Sequence, residues 1–378
     1  MAYLPLSTAN LPDPAIDPAQ GSSPEDYFDV FTWTGTGNTG RSFTDLSFQP
    51  DLVWAKDRTN AYGHVLFDSV RGAGADKELG SQSTGAEGYA STSTYDYLSS
   101  FDSNGFTSTY SGSNFAAYFN NSGDSYVAWN WKANGSGVSN TDGLTPSTAS
   151  ANTESGFSIV SYTGSTNESV GHGLDQAPEC IVVKNRDASS AWAVYHQGVQ
   201  DVTANGFLEL NQPYAVQTGS NPRFLSGTAG TSQPTSTVFY VNNYSGSSTN
   251  NTGNDYIAYC FHSVEGYSKC SSYVGNNNAD GPFVYTGFRP TFVIIKQTSG
   301  SNAWVMYDNA REPYNVIDLT LQPHLNSAEI DDPDQLDFVS NGFKIRANDT
   351  NARMSNASGG TYIYMAFAEN PFKYSNAC

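Results

Sequence analysis

The sequence predicts an all-β protein built from three tandem, homologous β-sandwich domains behind an extended N-terminal arm. Three observations support this prediction. The composition is rich in aromatic and small polar residues, with 24 Tyr, 21 Phe and 35 Gly, whereas the helix-forming Leu, Lys and Glu are scarce. One apolar strand pattern occurs three times. The turns and strands around that pattern recur each time in the same order.

Each copy is organised around a short apolar run that a proline opens and a lysine closes. Such runs, rich in Val and Ile, are typical of strands, and proline is tolerated at the first position because no ladder hydrogen bond is needed there. Both faces of the run are apolar, which places it at the centre of a sheet. The three runs lie within Phe48–Lys56, Gln176–Lys184 and Phe288–Lys296.

The other landmarks of each copy are an aromatic-x-Gly turn, an aromatic-rich strand and a closing strand. The copies are offset by about 130 and then about 110 residues, which is far above solenoid periods and long enough for a domain with its own core. The turns are Trp33–Gly35, Tyr162–Gly164 and Tyr273–Gly275; the strands after the core run are His64–Asp68, Trp192–His196 and Trp304–Asp308; the closing strands begin at Tyr126, Tyr256 and Tyr362.

These landmarks divide the chain into five parts. We expect an arm over 1–29, domains over 30–133, 156–267 and 268–378, and a flexible Gly/Ser/Thr/Asn linker over 134–155. The third domain includes a short C-terminal tail. The arm carries five prolines among small and polar residues, so it favours extended polyproline-like conformations. Two interpretations of it stay open, a loose leader and an arm that orders against a neighbouring subunit.

The charge balance excludes some partners. The chain has 17 basic and 36 acidic residues, a net charge of -19. Nucleic acid and anionic membrane surfaces both require clustered Lys and Arg, so neither is expected as a partner. The first twenty residues lack the basic start and apolar core of a signal peptide, and no apolar run approaches membrane-spanning length.

No catalytic or metal-binding constellation stands out. The five histidines belong to no known catalytic motif, and the four cysteines show no metal-ligand spacing, so we expect no enzyme and no cofactor. The acid-rich stretch Glu329–Asp337 leaves a structural calcium ion open, although an acidic surface loop explains it equally well. We expect the cysteines to be buried apolar filler.

Two sets of charged residues recur with the repeat. Lys56, Lys184 and Lys296 close the core strands, and we expect them at the sheet rim with their stems on aromatic rings. Asp68 precedes Arg71 by three residues just past a strand, and the third copy repeats this pair. A salt bridge that pins a turn and a polar ligand contact are both open. His196 takes the aspartate position in the second copy, which indicates that any polar group is tolerated there.

Long polar loops are the expected binding surfaces. The loops 88–103 and 242–254 are rich in Tyr, Ser, Asn, Gly and Thr, a composition that suits contacts with polar ligands or proteins. We therefore expect ligand contacts from Tyr95, Tyr97, Tyr244 and Asn250.

Five motifs are specific in combination: Asp68–Ala73, Ser125–Ala133, Gly156–Gly164, Ala279–Pro290 and Ala366–Phe372. Together they resemble a family of uncharacterised virion proteins of tailed bacteriophages, especially marine phages that infect cyanobacteria and other aquatic bacteria. Members of this family are often labelled tail fibre or structural proteins. The resemblance covers about Asp26 to Phe372 and implies a virion part without catalytic residues.

We therefore expect a virion protein assembled in the host cytoplasm, with sandwiches of lectin-like or jelly-roll-like style. The first expectation is a tail fibre or receptor-binding protein that contacts a host glycan or protein through its loops. The alternative is a capsid decoration or other structural virion protein that binds no receptor; a glycan depolymerase is a third class. Its other partners would be further copies of itself and other virion proteins.

Overall fold

A computed structural model describes residues 13–89, 95–110, 117–200, 203–218, 223–225, 233–242, 248–347 and 355–375. The fold is almost entirely β, with several antiparallel sheets. Among the described residues, no helix is both long and apolar enough to cross a membrane.

Each copy consists of a main sheet and a second sheet, formed by the following strands. The first copy contains β1 (Phe28–Thr34), β2 (Gly40–Phe43), β3 (Leu52–Asp57), β4 (Val65–Asp68), β5 (Tyr97–Asp102), β6 (Gly105–Thr109) and β7 (Ser125–Trp131). After β8 (Val138–Asn140) and β9 (Ser147–Asn152), the second contains β10 (Phe157–Thr163), β11 (Ser169–Gly171), β12 (Cys180–Asn185), β13 (Ala193–His196), the helical turn α1 (Gln197–Gln200), β14 (Leu208–Glu209), β15 (Val238–Tyr240) and β16 (Asp255–Phe261). The third contains β17 (Ser268–Val274), β18 (Phe283–Tyr285), β19 (Phe288–Gln297), β20 (Trp304–Asp308), β21 (Ile317–Thr320), β22 (Ile330–Val339), β23 (Gly342–Ile345) and β24 (Thr361–Pro371).

The main sheets of the three copies share one strand order and one register. The orders are β1-β7-β3-β4, β10-β16-β12-β13 within a longer sheet, and β17-β24-β19-β20. The second sheets are β2-β6-β5, β11-β15 and β18-β23-β22-β21. In the first copy Leu52 lies opposite Trp131 and Asp68, and the equivalent residues pair in the same way in the other two copies. The predicted threefold repeat is therefore confirmed.

The aromatic-x-Gly turn is explained by a close backbone approach. A Cβ atom on Gly164 would lie 2.1 Å from the carbonyl oxygen of Asn251, and Gly35 and Gly275 are crowded by the equivalent carbonyl in their own copies. Only glycine leaves room for this approach, which joins the end of the first strand to the turn before the closing strand.

The composition of the segment 134–155 predicted a flexible linker, and this prediction is wrong. Val138–Asn140 and Ser147–Asn152 are strands, and β9 pairs with β10 along six residues, so the segment extends the main sheet of the second copy. Small residues such as Ser150 and Ala149 are buried there. A polar strand can be held in this way because the backbone ladder, not apolar side chains, satisfies it.

The main sheets are buried on both faces, as the core strands predicted, and each face has its own core. Val53 and Ala55 of β3 pack inside the first sandwich with residues of the second sheet. Leu52 and Trp54, on the opposite face, pack in a different cluster that all three copies share. The same alternation holds in β19, where Val293 faces its own sandwich and Phe292 faces the shared cluster.

The shared core is organised around equivalent residues of the three copies. The rings of Trp131, Phe261 and Phe367 contact one another, with centroid distances of 6.3, 5.7 and 6.1 Å. These residues occupy the same position of the closing strand in each copy. The three copies are therefore arranged around a pseudo-threefold axis through one aromatic core, and not as a linear row of separate domains.

Equivalent backbone bonds close the copies into a ring. Each of these bonds joins a backbone N–H of one copy to a backbone carbonyl oxygen of another. The N–H of Glu87 donates to the carbonyl of Arg186 in the second copy at 2.8 Å. The N–H of Val216 donates to the carbonyl of Thr298 in the third copy, and that of Glu329 to the carbonyl of Arg58 in the first, both at 2.9 Å. The third copy thus contacts the first, so the ring closes between the two ends of the repeat.

The described part of the arm packs on its own chain. Ile16 is buried in the shared core, and the N–H of Ala15 donates to the carbonyl of Glu265 at 3.4 Å. Asp13 pairs with Lys373 near the other chain end. Residues 13–27 therefore order without a neighbouring subunit, because Ile16 gains an apolar site within the ring. Residues 1–12 lie outside the described residues.

The first copy's main sheet has two distinct ends. Phe28, Leu52 and Asp68 align with Trp131 at one end, where the arm enters. Thr34, Asp57 and the start of β7 lie at the other end, to which the loop 58–64 belongs. The described chain ends therefore meet at one end of the sheet, and the loop between β3 and β4 lies at the opposite end.

Candidate functional site

The three repeated lysines are structural. The prediction that they lie at the sheet rim is wrong. Lys56, Lys184 and Lys296 are all fully buried. Lys296 Nζ donates to the carbonyls of Gln297 at 2.6 Å and of Pro213, in the second copy, at 3.1 Å. Burial lowers the pKa of Lys296 to about 7 and that of Lys184 to about 8. The lysines tie the loop after each core strand to backbone oxygens.

The recurring aspartate position lies between copies and is not exposed. Asp68 Oδ2 accepts hydrogen bonds from Arg71 Nε at 2.5 Å and from Tyr259 Oη of the second copy at 2.8 Å. Asp308 Oδ2 accepts from Arg311 Nε at 2.7 Å and from Trp129 Nε1 of the first copy at 3.1 Å. Both ion pairs are completely buried. The ligand-contact interpretation fails at this position, because these carboxylates are already bonded within the core.

The second copy has histidine at this position because its neighbour differs. Trp129 and Tyr259 are donors, but the equivalent residue of the third copy is Met365, which cannot donate. His196 Nε2 lies 3.2 Å from the carbonyl oxygen of Tyr364, so the ring donates where the carboxylates accept. The position therefore follows the chemistry of the next copy in the ring.

The remaining candidates for chemistry are buried or paired with another charge. All five histidines are buried. Glu329, in the acid-rich stretch, pairs with Arg58 at 2.7 Å and Arg311 at 2.8 Å, and Asp337 pairs with Arg346. Within the described ranges, no group of three or more His, Cys, Asp or Glu side chains is placed to hold a metal ion. Cys180, Cys260 and Cys270 are free and buried.

The predicted binding residues have different fates. Asn250 is fully buried. Its Oδ1 accepts a hydrogen bond from the Ser165 N–H at 3.0 Å, and its Nδ2 donates to the carbonyl oxygen of Asn167 at 2.8 Å. It is a structural residue, because Asn120 and Asn356 make the same two kinds of bond in their own copies. Tyr97 lies in β5, half-buried against the first sandwich core, so part of the predicted loop is a strand. Tyr244 lies outside the described residues.

Tyr95 lies in an open pocket of about 620 Å³ at the end of the sheet opposite the chain termini. The pocket is formed by the loop after β3, by the segments around Gln82 and Tyr118, and by the loop after β21 in the third copy. We call it the tyrosine pocket. Its lining residues are Ala61, Tyr62, Gly63, Gln82, Ser83, Tyr89, Tyr95, Tyr118, His324, Leu325 and Asn326.

The tyrosine rings support one another. The Tyr95 ring lies 4.8 Å from that of Tyr118 and meets Tyr62 edge to face at 6.2 Å. Gln82 Nε2 donates to Tyr89 Oη at 2.8 Å, while its Oε1 accepts from the His64 N–H at 3.0 Å. These contacts fix the orientation of the rings, so a ligand placed on them would lose less entropy on binding.

Asp96 fixes the backbone at Tyr118 through hydrogen bonds. Its carboxylate is buried and accepts from the N–H groups of Tyr118 at 2.7 Å and Phe119 at 3.0 Å. Burial raises the pKa of Asp96 to about 7 despite these hydrogen bonds, which act in the opposite direction. Burial also raises the pKa of Tyr62, Tyr89 and Tyr118, so their hydroxyls stay protonated at neutral pH.

The third copy supplies one wall of the pocket. Ser81 Oγ donates to the carbonyl oxygen of Pro323 at 2.6 Å, which fastens the loop that carries His324. His324 is only 8% exposed, and its Nδ1 has no hydrogen-bond partner among the described residues. Burial, together with the nearby charge of Lys296, lowers the pKa of His324 to about 4, so its ring is neutral at pH 7.

The sequence prediction named Tyr95 but none of the other residues that line this pocket, because the pocket is assembled from separate loops of two copies. One signal was present in the repeat. Where the first copy has Tyr62, the second has Ser190 and the third Asn302, and where it has Tyr118, the second has Ser248. Tyrosines that depart from an otherwise shared pattern mark the place where one copy has become specialised.

Comparisons with known proteins place the chain in a family. No curated protein and no solved structure matches it. A family model described as a domain of unknown function (DUF7483) matches residues 23–371, which include every strand described above. Because this match covers most of the sequence and all three copies, the protein belongs to the DUF7483 family.

Proposed function

We propose that the protein is a structural protein of a phage virion, specifically a tail-associated fibre or receptor-binding protein. In this proposal it attaches the particle to a glycan or protein on the host surface through the tyrosine pocket. One observation carries the proposal: the pocket and the described chain ends lie at opposite ends of the first copy's main sheet. A protein held in a particle by its terminal region would present the pocket outward.

The rest of the architecture supports this role. The closed ring and its shared aromatic core give a rigid support, on which exposed loops can vary without loss of the fold. The pocket is open and lined by aromatic and amide groups, the kind of surface that binds polar ligands with little reorganisation. Assembly with further copies and with other virion proteins would multiply weak contacts into avidity.

The test is a cell-binding assay with the full-length protein. We expect fluorescently labelled protein to bind saturably to cells of the host bacterium, and the double variant Tyr62→Ala/Tyr95→Ala to bind at least tenfold more weakly. The matched control is Tyr214→Ala/Tyr314→Ala, which removes two exposed tyrosines outside the pocket, 51% and 84% accessible. Equal binding by the two double variants would contradict the proposal.

A second candidate is a capsid decoration protein, which the pseudo-threefold arrangement favours. Three similar copies around one axis match the symmetry of a threefold site on a particle. Gold-labelled antibody on whole virions separates the two candidates, because label on the tail supports attachment and label distributed over the capsid supports decoration.

A further inference from the structure

We infer that the tyrosine pocket takes a neutral carbohydrate and discriminates against acidic sugars. This inference rests on the proposed attachment function and names the chemical class of its ligand. The pocket volume of about 620 Å³ lies in the range of small-molecule sites and has room for one or two sugar rings.

The first argument is the pairing of ring surfaces with fixed polar groups. A sugar presents an apolar C–H face and a rim of hydroxyls, and therefore requires both kinds of partner at once. Tyr62 and Tyr95 are half-buried, and Tyr89 is 36% exposed, so ring surface remains accessible in the pocket. Gln82 and Asn326 place amide groups beside these rings.

The second argument is the uncharged wall that His324 forms. His324 lines the pocket, and burial together with the nearby charge of Lys296 lowers its pKa to about 4, so the ring is neutral at pH 7. A neutral ring offers no ion pair to an acidic sugar, whereas a neutral sugar requires none.

The third argument is charge. No Lys or Arg lines the described part of the pocket. The nearby charges that act on its tyrosines are carboxylates, those of Glu78, Asp57 and Asp124. Lys296, the cation that acts on His324, is buried and bonded to backbone oxygens. An anionic ligand would meet repulsion without a compensating ion pair.

The experiment is a glycan array followed by calorimetric titration of the full-length protein. The array carries neutral hexose and N-acetylhexosamine oligosaccharides, each beside a matched glycan that bears a sialic acid, a uronic acid or a sulfate. We expect binding to neutral members, at least tenfold weaker binding to their acidic counterparts, and a tenfold loss in Tyr62→Ala/Tyr95→Ala but not in Tyr214→Ala/Tyr314→Ala.

The variant Asn326→Lys tests the charge argument, because it adds a cation at an exposed position of the pocket. The melting temperature should stay unchanged, whereas binding of acidic glycans should rise at least fivefold relative to their neutral counterparts. Selective binding of acidic glycans through the pocket would overturn the neutral class and leave attachment intact. Pocket-dependent binding to host cells without any glycan binding would also overturn it and indicate a protein receptor. Binding to neither host cells nor glycans would overturn the attachment function itself.

Discussion

Replacing Asp68 by Ala should lower the free energy of unfolding by about 3–5 kcal/mol, the usual cost of leaving one charge of a buried pair without its partner. Arg71 is completely buried, and Glu87, the next carboxylate, lies 3.9 Å from its Nη1 atom. The same substitution removes the acceptor of the Tyr259 hydroxyl, which is buried in the neighbouring copy. The loss therefore acts on the first sandwich and on its contact with the second.

The third copy provides a graded comparison. Asp308→Ala should cost less, about 2–3 kcal/mol, because Arg311 keeps Glu329 at 2.8 Å and one charged hydrogen bond is retained. The exposed pair of Lys344 with Asp280 is the control, and Asp280→Ala should cause no measurable change. Urea unfolding followed by tryptophan fluorescence measures all three variants.

The second copy suggests a rescue. It has Val199 at the position of Arg71, packed in the shared core. Adding Arg71→Val to Asp68→Ala removes the unpaired buried charge and should recover at least half of the lost stability. The reasoning is refuted if Asp68→Ala unfolds within about 1 kcal/mol of the parent protein, or if the double variant is less stable than the single one.

Three further predictions concern stability. Between pH 7 and about pH 8.5 the unfolded state binds more protons than the folded state, because burial lowers the pKa of Lys184 to about 8 and of Lys296 to about 7. Urea midpoints should therefore rise with pH over this range, and less steeply in Lys296→Met. At higher pH the buried cysteines, whose pKa values burial raises, act in the opposite direction. Gly164→Ala should cost about 1–3 kcal/mol in urea unfolding because of the Asn251 carbonyl, whereas Gly40→Ala, which has open space around it, should not. Cys180→Leu should add about 1 kcal/mol, seen as a higher melting temperature, by filling a cavity of about 40 Å³ in the shared core; an unchanged or lower value would show that the cavity cannot take the larger side chain.

The repeat could be predicted because it depends on local patterns. The run from Leu52 to Lys56 shows a strand with apolar residues on both faces, and its two later copies show the same strand again. The sandwich explains only the face with Val53. The apolar face with Leu52 and Trp54 implied a second core, which becomes evident once the copies are placed around one axis.

The errors have a common physical cause. A lysine at a strand end is normally solvated, so nothing in the sequence indicates that Lys296 meets the carbonyl of Pro213 from another copy. The strand Ser147–Asn152 could not be predicted either, because its side chains are small and polar although its backbone pairs with β10 along its whole length. Contacts between copies depend on the ring, and the ring is a property of all three copies together.

The position of the tyrosine pocket follows from this ring. Two of the three junctions between copies join neighbours in sequence, whereas the junction that carries the pocket joins the first copy to the third. The bond of Ser81 to Pro323 and the ion pair of Arg58 with Glu329 bring the His324 wall against the tyrosines. An isolated first copy would have the rings without that wall. A ligand that contacts both walls would therefore bind only the closed form of the ring and would stabilise it.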